Sequence, residues 1–278
     1  MKYITVNSFL YFIYIMISAC SSSAAAISNG DIKISKNYDS LVLSDRPVGY
    51  WLLKKNDELD ASGHNMTGKY EGHQLDETVL PNGETANIFN GTDNYFEIPD
   101  NEYLEITRTG IITIEAWMRP DTLNFPVTEG DGYVYWMGKG TTDNQSWAAR
   151  IYNANNVSRP KRISGYCFNL SGGLGAGSFF QDDDVTKVWI YYTLIINTAS
   201  KSKNYPTGYI KIYKNGVLRD IDNLKEYNII PKNGIAPLRI GTRNMGSFFK
   251  GAIGKVALYD YELINRQIIL HNNSMRGL

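Results

Sequence analysis

The chain is poor in cysteine, proline, histidine and net charge. In 278 residues it holds two Cys, nine Pro and three His, and its 28 basic side chains are cancelled by 28 acidic ones. That balance excludes the basic footprint of a nucleic-acid-binding protein and leaves no field to steer the chain to an acidic membrane surface. His64, His73 and His271 show no spacing that suggests a metal-binding pair. No Gly-x-Ser-x-Gly elbow is present to expose a nucleophilic serine. No apolar run reaches the roughly 20 residues that a membrane-spanning helix needs. What is abundant points elsewhere: 43% hydrophobic residues can bury a sizeable core, and twenty Tyr, ten Phe and five Trp beside 25 Gly indicate pleated sheet punctuated by turns.

The N-terminal residues read as an export signal and not as fold. Lys2 gives a positive end, and Phe9 to Ile17 (FLYFIYIMI) has the size of a signal-peptide core. The following Ile17-Ser18-Ala19-Cys20 resembles the lipobox of bacterial lipoproteins, which implies that the Cys20 thiol carries lipid and anchors the chain to a membrane, outer membrane or cell surface included. The alternative is an ordinary secretory signal cut at a nearby small residue. With Cys20 lipidated, Cys167 stands alone, so no internal disulfide is expected. Cys167 falls in the strand-like run Gly165 to Leu170 and reads as a buried, inert thiol. Residues 1–20 are therefore assigned to the signal, 21–44 to a flexible tether and 45–278 to one folded domain.

Within that domain, short period-2 runs alternate with Gly, Asn and Asp clusters, the grammar of a sandwich or barrel. Strands are expected at Gly49–Leu53, Asn94–Ile98, Ile111–Arg119, Gly132–Met137, Trp147–Tyr152, Gly165–Leu170, Lys187–Asn197, Gly208–Tyr213, Leu238–Ile240 and Ala252–Tyr259. Lys214-Asn215-Gly216-Val217 is a strong hairpin signal, because Asn-Gly accepts the positive φ of a tight turn. Tyr261 to Asn272 is amphipathic and reads as a packed helix. The run Gly172 to Gly177 lacks a following helix to hold phosphate and reads as a flexible loop.

Several segments in register resemble one family. Tyr50-Trp51-Leu52-Leu53, Asp60-Ala61-Ser62-Gly63, Phe89-Asn90-Gly91 with Tyr95-Phe96-Glu97-Ile98-Pro99, Thr113-Ile114-Glu115-Ala116-Trp117-Met118-Arg119-Pro120 and the closing Gly251-Ala252-Ile253-Gly254-Lys255-Val256 are similar to LamG-like domains of the concanavalin A-like lectin/glucanase superfamily. The resemblance covers about Asp45 to Asn272 and implies an all-β, two-sheet antiparallel jelly-roll sandwich with a short C-terminal helix. Trp51, Trp117 and Trp189 are then expected to fill the space between the sheets.

Glucan-cleaving members of that superfamily carry carboxylates at alternate positions of one strand. No Glu-x-Asp-x-x-Glu pattern occurs here, so no catalytic residue is assigned and the chain is expected not to be an enzyme. No cofactor is required. The resemblance admits a structural calcium, with Asp60 as its candidate ligand, although that carboxylate could equally cap its turn. Gly254, where most of the family has Asp, and the non-acidic Thr242-Arg243-Asn244-Met245 argue against a pentraxin-type ion pair.

Alternation places Tyr209, Lys211 and Tyr213 on one outward face of a strand, with Ile210 and Ile212 turned to the core. Tyr191, Trp136, Arg150 and Tyr152 are candidates to extend this stripe from neighbouring strands. Aromatic rings stack on the C–H faces of sugars while Lys and Arg meet hydroxyls or carboxylates, so the stripe is the candidate carbohydrate site. Tyrosine is also common on ordinary solvated sheet faces. The expected function is an exported, lipid-anchored, non-catalytic recognition module for polysaccharide or glycan. A surface adhesion or structural protein that binds a protein partner is the alternative, and a glycan-cleaving enzyme is a third reading.

Overall fold

The structure is a computed structural model and describes residues 37–183 and 185–278. Cys20 and the export signal lie outside the described residues. The folded unit opens with α1 (Tyr38–Ser44) and closes with α2 (Asn265–Arg276). Between them run β1 (Gly49–Trp51), β2 (Lys69–Glu71), β3 (Asp76–Val79), β4 (Thr85–Asn90), β5 (Tyr95–Ile98), β6 (Ile111–Pro120), β7 (Tyr133–Thr141) and β8 (Asn144–Tyr152). They are followed by β9 (Arg162–Asn169), β10 (Gly172–Gln181), β11 (Ile190–Asn197), β12 (Tyr209–Lys214), β13 (Val217–Asn223), β14 (Leu238–Ile240) and β15 (Lys250–Tyr259).

The strands form two antiparallel sheets. The eight-stranded sheet runs β13-β12-β11-β6-β15-β4-β3, with β1 also paired to β15, and the seven-stranded sheet runs β10-β9-β8-β7-β14-β5-β2. All ten strands expected from the sequence are present, and the Asn-Gly turn behaves as its chemistry requires. Asn215 and Gly216 hold φ of 53° and 81° between β12 and β13, the signature of a primed two-residue turn. Between the sheets, alternate residues interleave. Ile112, Ile114, Leu194, Ile196, Ile210 and Ile212 of the eight-stranded sheet share one core with Trp136, Trp147, Ile151 and Ile163 of the other. Cys167 joins this layer, and burial pushes its thiol up to about 12, as expected of an inert core residue.

A second apolar layer lies on the outside of the eight-stranded sheet, where α1 and α2 pack over Trp117, Tyr191, Ile195, Tyr213 and Tyr259. Two expectations change because of it. Residues 38–44, assigned to the tether, form a helix whose Tyr38 and Val42 are buried. Asn37 caps it by accepting the Ser40 N–H at 2.8 Å. The helix is also held by charge: Lys255 Nζ, at a β15 irregularity, donates to both Asp39 oxygens at 2.7 and 2.8 Å. Trp117 and Trp189 belong to this outer layer, so of the three tryptophans expected between the sheets only Trp51 is there.

The layer encloses one carboxylate. Glu115 of β6 is fully buried and accepts hydrogen bonds from the Tyr191 hydroxyl and, at 3.0 Å, from that of Tyr259. His271 of α2 joins it through Nδ1 at 2.9 Å, while Nε2 meets Asp45 at 3.0 Å. Burial alone would lower the His271 pKa, but Glu115 and Asp45 together raise it above the ordinary histidine value. A histidine with a raised folded-state pKa contributes stability that is full below its unfolded value of about 6.5 and is lost as pH rises through the folded value. Thermal melts should therefore show a larger deficit for His271→Gln at about pH 5.5 than at about pH 8.5; an equal deficit at both would mean that the imidazole acts only by packing.

Candidate functional site

Among the described residues no α-helix packs on the outer face of the seven-stranded sheet, which holds a groove of about 400 Å³ rimmed by the single 3-10 turn Glu226–Asn228. Strands β7 to β10 build it by alternation. With Val134, Ile151, Ile163 and Cys167 turned inward, their neighbours Tyr133, Tyr135, Arg150, Tyr152, Tyr166 and Phe168 face outward. Register brings them together: Tyr133 pairs with Tyr152, Tyr135 with Arg150, and Tyr166 with Gly177.

The glycines of β10 make room for the rings. A Cβ on Gly177 would overlap the Tyr166 ring, and one on Gly175 would lie 2.6 Å from Phe168 Cε1. Aromatic side chains on β9 can thus lie across bare backbone on β10, a cross-strand arrangement that stabilises a glycine-rich edge. The run Gly172 to Gly177 is accordingly part of an edge strand, not the loop expected from its composition. Its function is steric, and no phosphate reading is needed.

Arg150 stands at the centre. Its guanidinium lies 4.0 Å from the Tyr133 ring centroid, 4.5 Å from Tyr166 and 4.7 Å from Tyr135, within range of cation–π attraction. One terminal nitrogen donates to the Tyr152 hydroxyl at 2.8 Å and the other to the Tyr135 hydroxyl. Arg159 also donates to Tyr152, at 2.9 Å. Burial works against ionisation of that phenol, yet the Arg150 charge and the bonds from Tyr166, Arg150 and Arg159 hold it below the usual tyrosine value. Arg243 lies 3.8 Å from the Tyr135 ring centroid, Arg162 lies 3.8 Å over Phe179, and exposed Tyr227 stands on the rim. The arrangement offers ring surfaces and guanidinium donors to a ligand, and it brings no pair of carboxylates together.

The sequence candidates are divided by this geometry. Arg150 and Tyr152 belong to the groove, although the Tyr152 ring is buried beneath it. Trp136 faces the opposite way, into the inter-sheet core. Tyr191 and Tyr213 are buried under the helices. Tyr209 and Lys211 do face outward, but Glu262 occupies them: it accepts from the Tyr209 hydroxyl and from Lys211 Nζ, each at 2.6 Å, and Tyr213 donates to Asn265 at 2.9 Å. That stripe is the seat of the C-terminal segment. Asp60 caps its turn, accepting N–H bonds from Tyr50, Ser62 and Met66 at 3.0, 2.9 and 3.1 Å. Both oxygens are thus engaged in the turn, as the capping alternative expects, and among the described residues no group of three His, Cys, Asp or Glu is arranged for a metal.

Sequence reasoning does not reach Tyr133, Tyr135, Tyr166, Phe168, Arg159 and Arg162. Two signals point to them: Tyr-x-Tyr and Tyr-x-Phe on separate strands, and a facing Gly-x-Gly. Gly177→Ala tests the steric role of β10; it should destabilise by about 1–3 kcal/mol and alter the near-ultraviolet circular dichroism of the tyrosines. An unchanged spectrum and melt would show that the ring does not rest there.

Residues 90–269 match the model of the Laminin_G_3 family, described as the concanavalin A-like lectin/glucanases superfamily. No curated protein matches the chain. Among solved structures, the binding domain of botulinum neurotoxin DC in complex with rat synaptotagmin II is 18% identical with a TM-score of 0.62, covering 84% of this chain and 52% of that one. The ligand-binding domain of botulinum neurotoxin serotype D in complex with N-acetylneuraminic acid is 16% identical with a TM-score of 0.60, again covering 84% and 52%. This chain spans about half the length of those structures, and at such identities the likeness is one of fold. The extended family match, together with the two-sheet architecture, places the chain in the Laminin_G_3 family of concanavalin A-like jelly-roll domains.

Proposed function

We propose that the protein is a non-catalytic, glycan-binding module whose ligand lies in the groove on the outer face of the seven-stranded sheet. The observation that carries this reading is Arg150 held among the rings of Tyr133, Tyr135 and Tyr166. The half-buried rings of Tyr133 and Tyr166 offer apolar surface to the C–H faces of a sugar, and the surrounding guanidinium and phenol groups offer hydrogen bonds to its oxygens. The fold is shared with neurotoxin domains whose structures were solved with N-acetylneuraminic acid and with a protein, which supports a binding role of either kind. The ring-lined shape of the groove favours glycan.

A glycan array probed with the protein should give saturable binding without cleavage. Tyr133→Ala and Tyr166→Ala should each weaken it about 5- to 150-fold, the loss of roughly 1–3 kcal/mol expected for one stacking ring. Tyr209→Ala should instead lower thermal stability and leave binding intact, since that ring is engaged by Glu262. Silence across the array would count against the glycan reading and favour a protein partner. Display from a membrane through lipid on Cys20 is part of the same proposal: Cys20→Ser should move the protein from the membrane to the soluble fraction, and unchanged retention would refute the anchor.

A further inference from the structure

Resting on the glycan reading, we infer that the ligand is an acidic saccharide, whose carboxylate or sulfate supplies the counter-ion that Arg150, Arg159 and Arg162 lack. The inference comes from a contrast within this one molecule. Away from the groove, the most deeply buried lysines and arginine meet carboxylates, while half-buried Arg276 of α2 is an exception that donates to Asn272, Asn215 and the Trp189 carbonyl. Lys139, 1% exposed, lies 2.6 Å from Asp100 and 3.0 Å from Glu105. Lys255, 3% exposed, sits between Asp39 and Glu84. Arg239 is paired with Glu97 at 2.6 Å.

The groove departs from that pattern. Among the described residues, none of its three lining arginines forms an ion pair. Arg150 and Arg159 donate to phenol oxygens, and Arg162 Nε makes only a 3.4 Å bond to Gln181. Arg243, buried behind Tyr135, follows the same rule and donates to the neutral Gln145. Phenols and ring faces satisfy donors without cancelling charge, and for Arg150, the most buried of the three, sequestering an uncompensated cation is costly. Burial and the like charge of Arg159 hold Arg162 below the ordinary arginine value, although Tyr166, Tyr152 and Asp220 act the other way. Glu226, exposed on the rim, is the acidic residue that lines it. The excess is therefore positive and local in a chain whose formal charge is zero.

Guanidinium forks match the planar oxygens of a carboxylate or the tripod of a sulfate with paired, charge-assisted hydrogen bonds. Rings beside those forks select for the sugar that carries the acid. A neutral glycan would gain the stacking and leave the charge unmet, whereas an acidic one gains both. An acidic peptide would meet the charge but gain less from the rings of Tyr133 and Tyr166.

Titration calorimetry of the full-length protein distinguishes these cases. The probes are oligogalacturonate with its carboxyl-reduced counterpart, a heparin-derived oligosaccharide with its desulfated counterpart, and polyglutamate. Removing the acid from whichever saccharide binds should weaken it at least about tenfold, the difference between a charged and a neutral hydrogen-bond partner. The two pairs report separately on carboxylate and sulfate. Arg159→Gln, at an exposed site where folding is not at stake, should weaken the acidic sugar about threefold or more and a neutral one by less. Arg150→Gln, with its fold checked by melting, should lose more. Equal binding of an acidic sugar and its neutralised counterpart overturns the acidic assignment while leaving the groove as a glycan site. Polyglutamate binding as tightly as the sugar overturns saccharide selectivity, and acidic binding unchanged in both arginine variants overturns the location. Failure of every neutral and acidic sugar overturns the glycan reading itself.

Discussion

The structure turns on a single sequestered carboxylate. Glu115 projects from the middle of the eight-stranded sheet to the side away from the sandwich core, a position where a charged group would ordinarily meet water. Here it is covered, and its oxygens are satisfied by Tyr191, Tyr259 and His271. An ionised group buried without partners is among the most expensive features a fold can carry. The C-terminal helix must therefore arrive with its histidine correctly placed, and Tyr38, Trp117 and Tyr213 pack around that contact. The polar centre fixes the position of α2, and the apolar surround supplies the burial that holds it.

That arrangement determines which surface remains available. One sheet is sealed by helices and by the segment carrying Glu262, while the other has no α-helix over β7 to β10 among the described residues and holds a groove there. The same side-chain chemistry occurs on both faces, tyrosines alternating with basic residues, and only the tertiary context separates them. On the sealed face Lys211 is neutralised by Glu262. On the open one Arg150 is surrounded by rings. Sandwich folds host many activities, and in this chain the terminal helices cover one outer face and leave the groove on the other.

Much of the fold is legible in the sequence because its signals are local. Period-2 alternation marks ten strands, and Asn215-Gly216 marks its own turn. The short β2 and β3 are not legible, since three or four half-exposed residues carry no periodicity, and β10 is hidden because glycine contributes no side chain to a pattern. The site is half legible. Arg150 and Tyr152 are named in the sequence only as neighbours of the Tyr209 stripe, and the structure sets them on the opposite sheet. Tyr191, Tyr209 and Tyr213 do point outward, but outward from a sheet is not the same as exposed when a second layer sits on it, and nothing within β12 reveals that Glu262 will fold back onto Tyr209 from 53 positions further along the chain. Trp136 falls to parity itself, since it shares a face with Val134. Trp117 shows the converse error: assigned to the core as a large apolar residue, it lies in a different apolar layer.

The way Arg150 is held has a kinetic meaning. Gripped by neighbouring rings and two phenols, its long side chain has already surrendered most of the rotamer freedom that a flexible arginine would lose on meeting a ligand. A recess built in this manner needs no lid to close and no loop to order. Encounter would be limited by diffusion and alignment, nearly alike for related ligands, and discrimination among them would reside in how long each one stays.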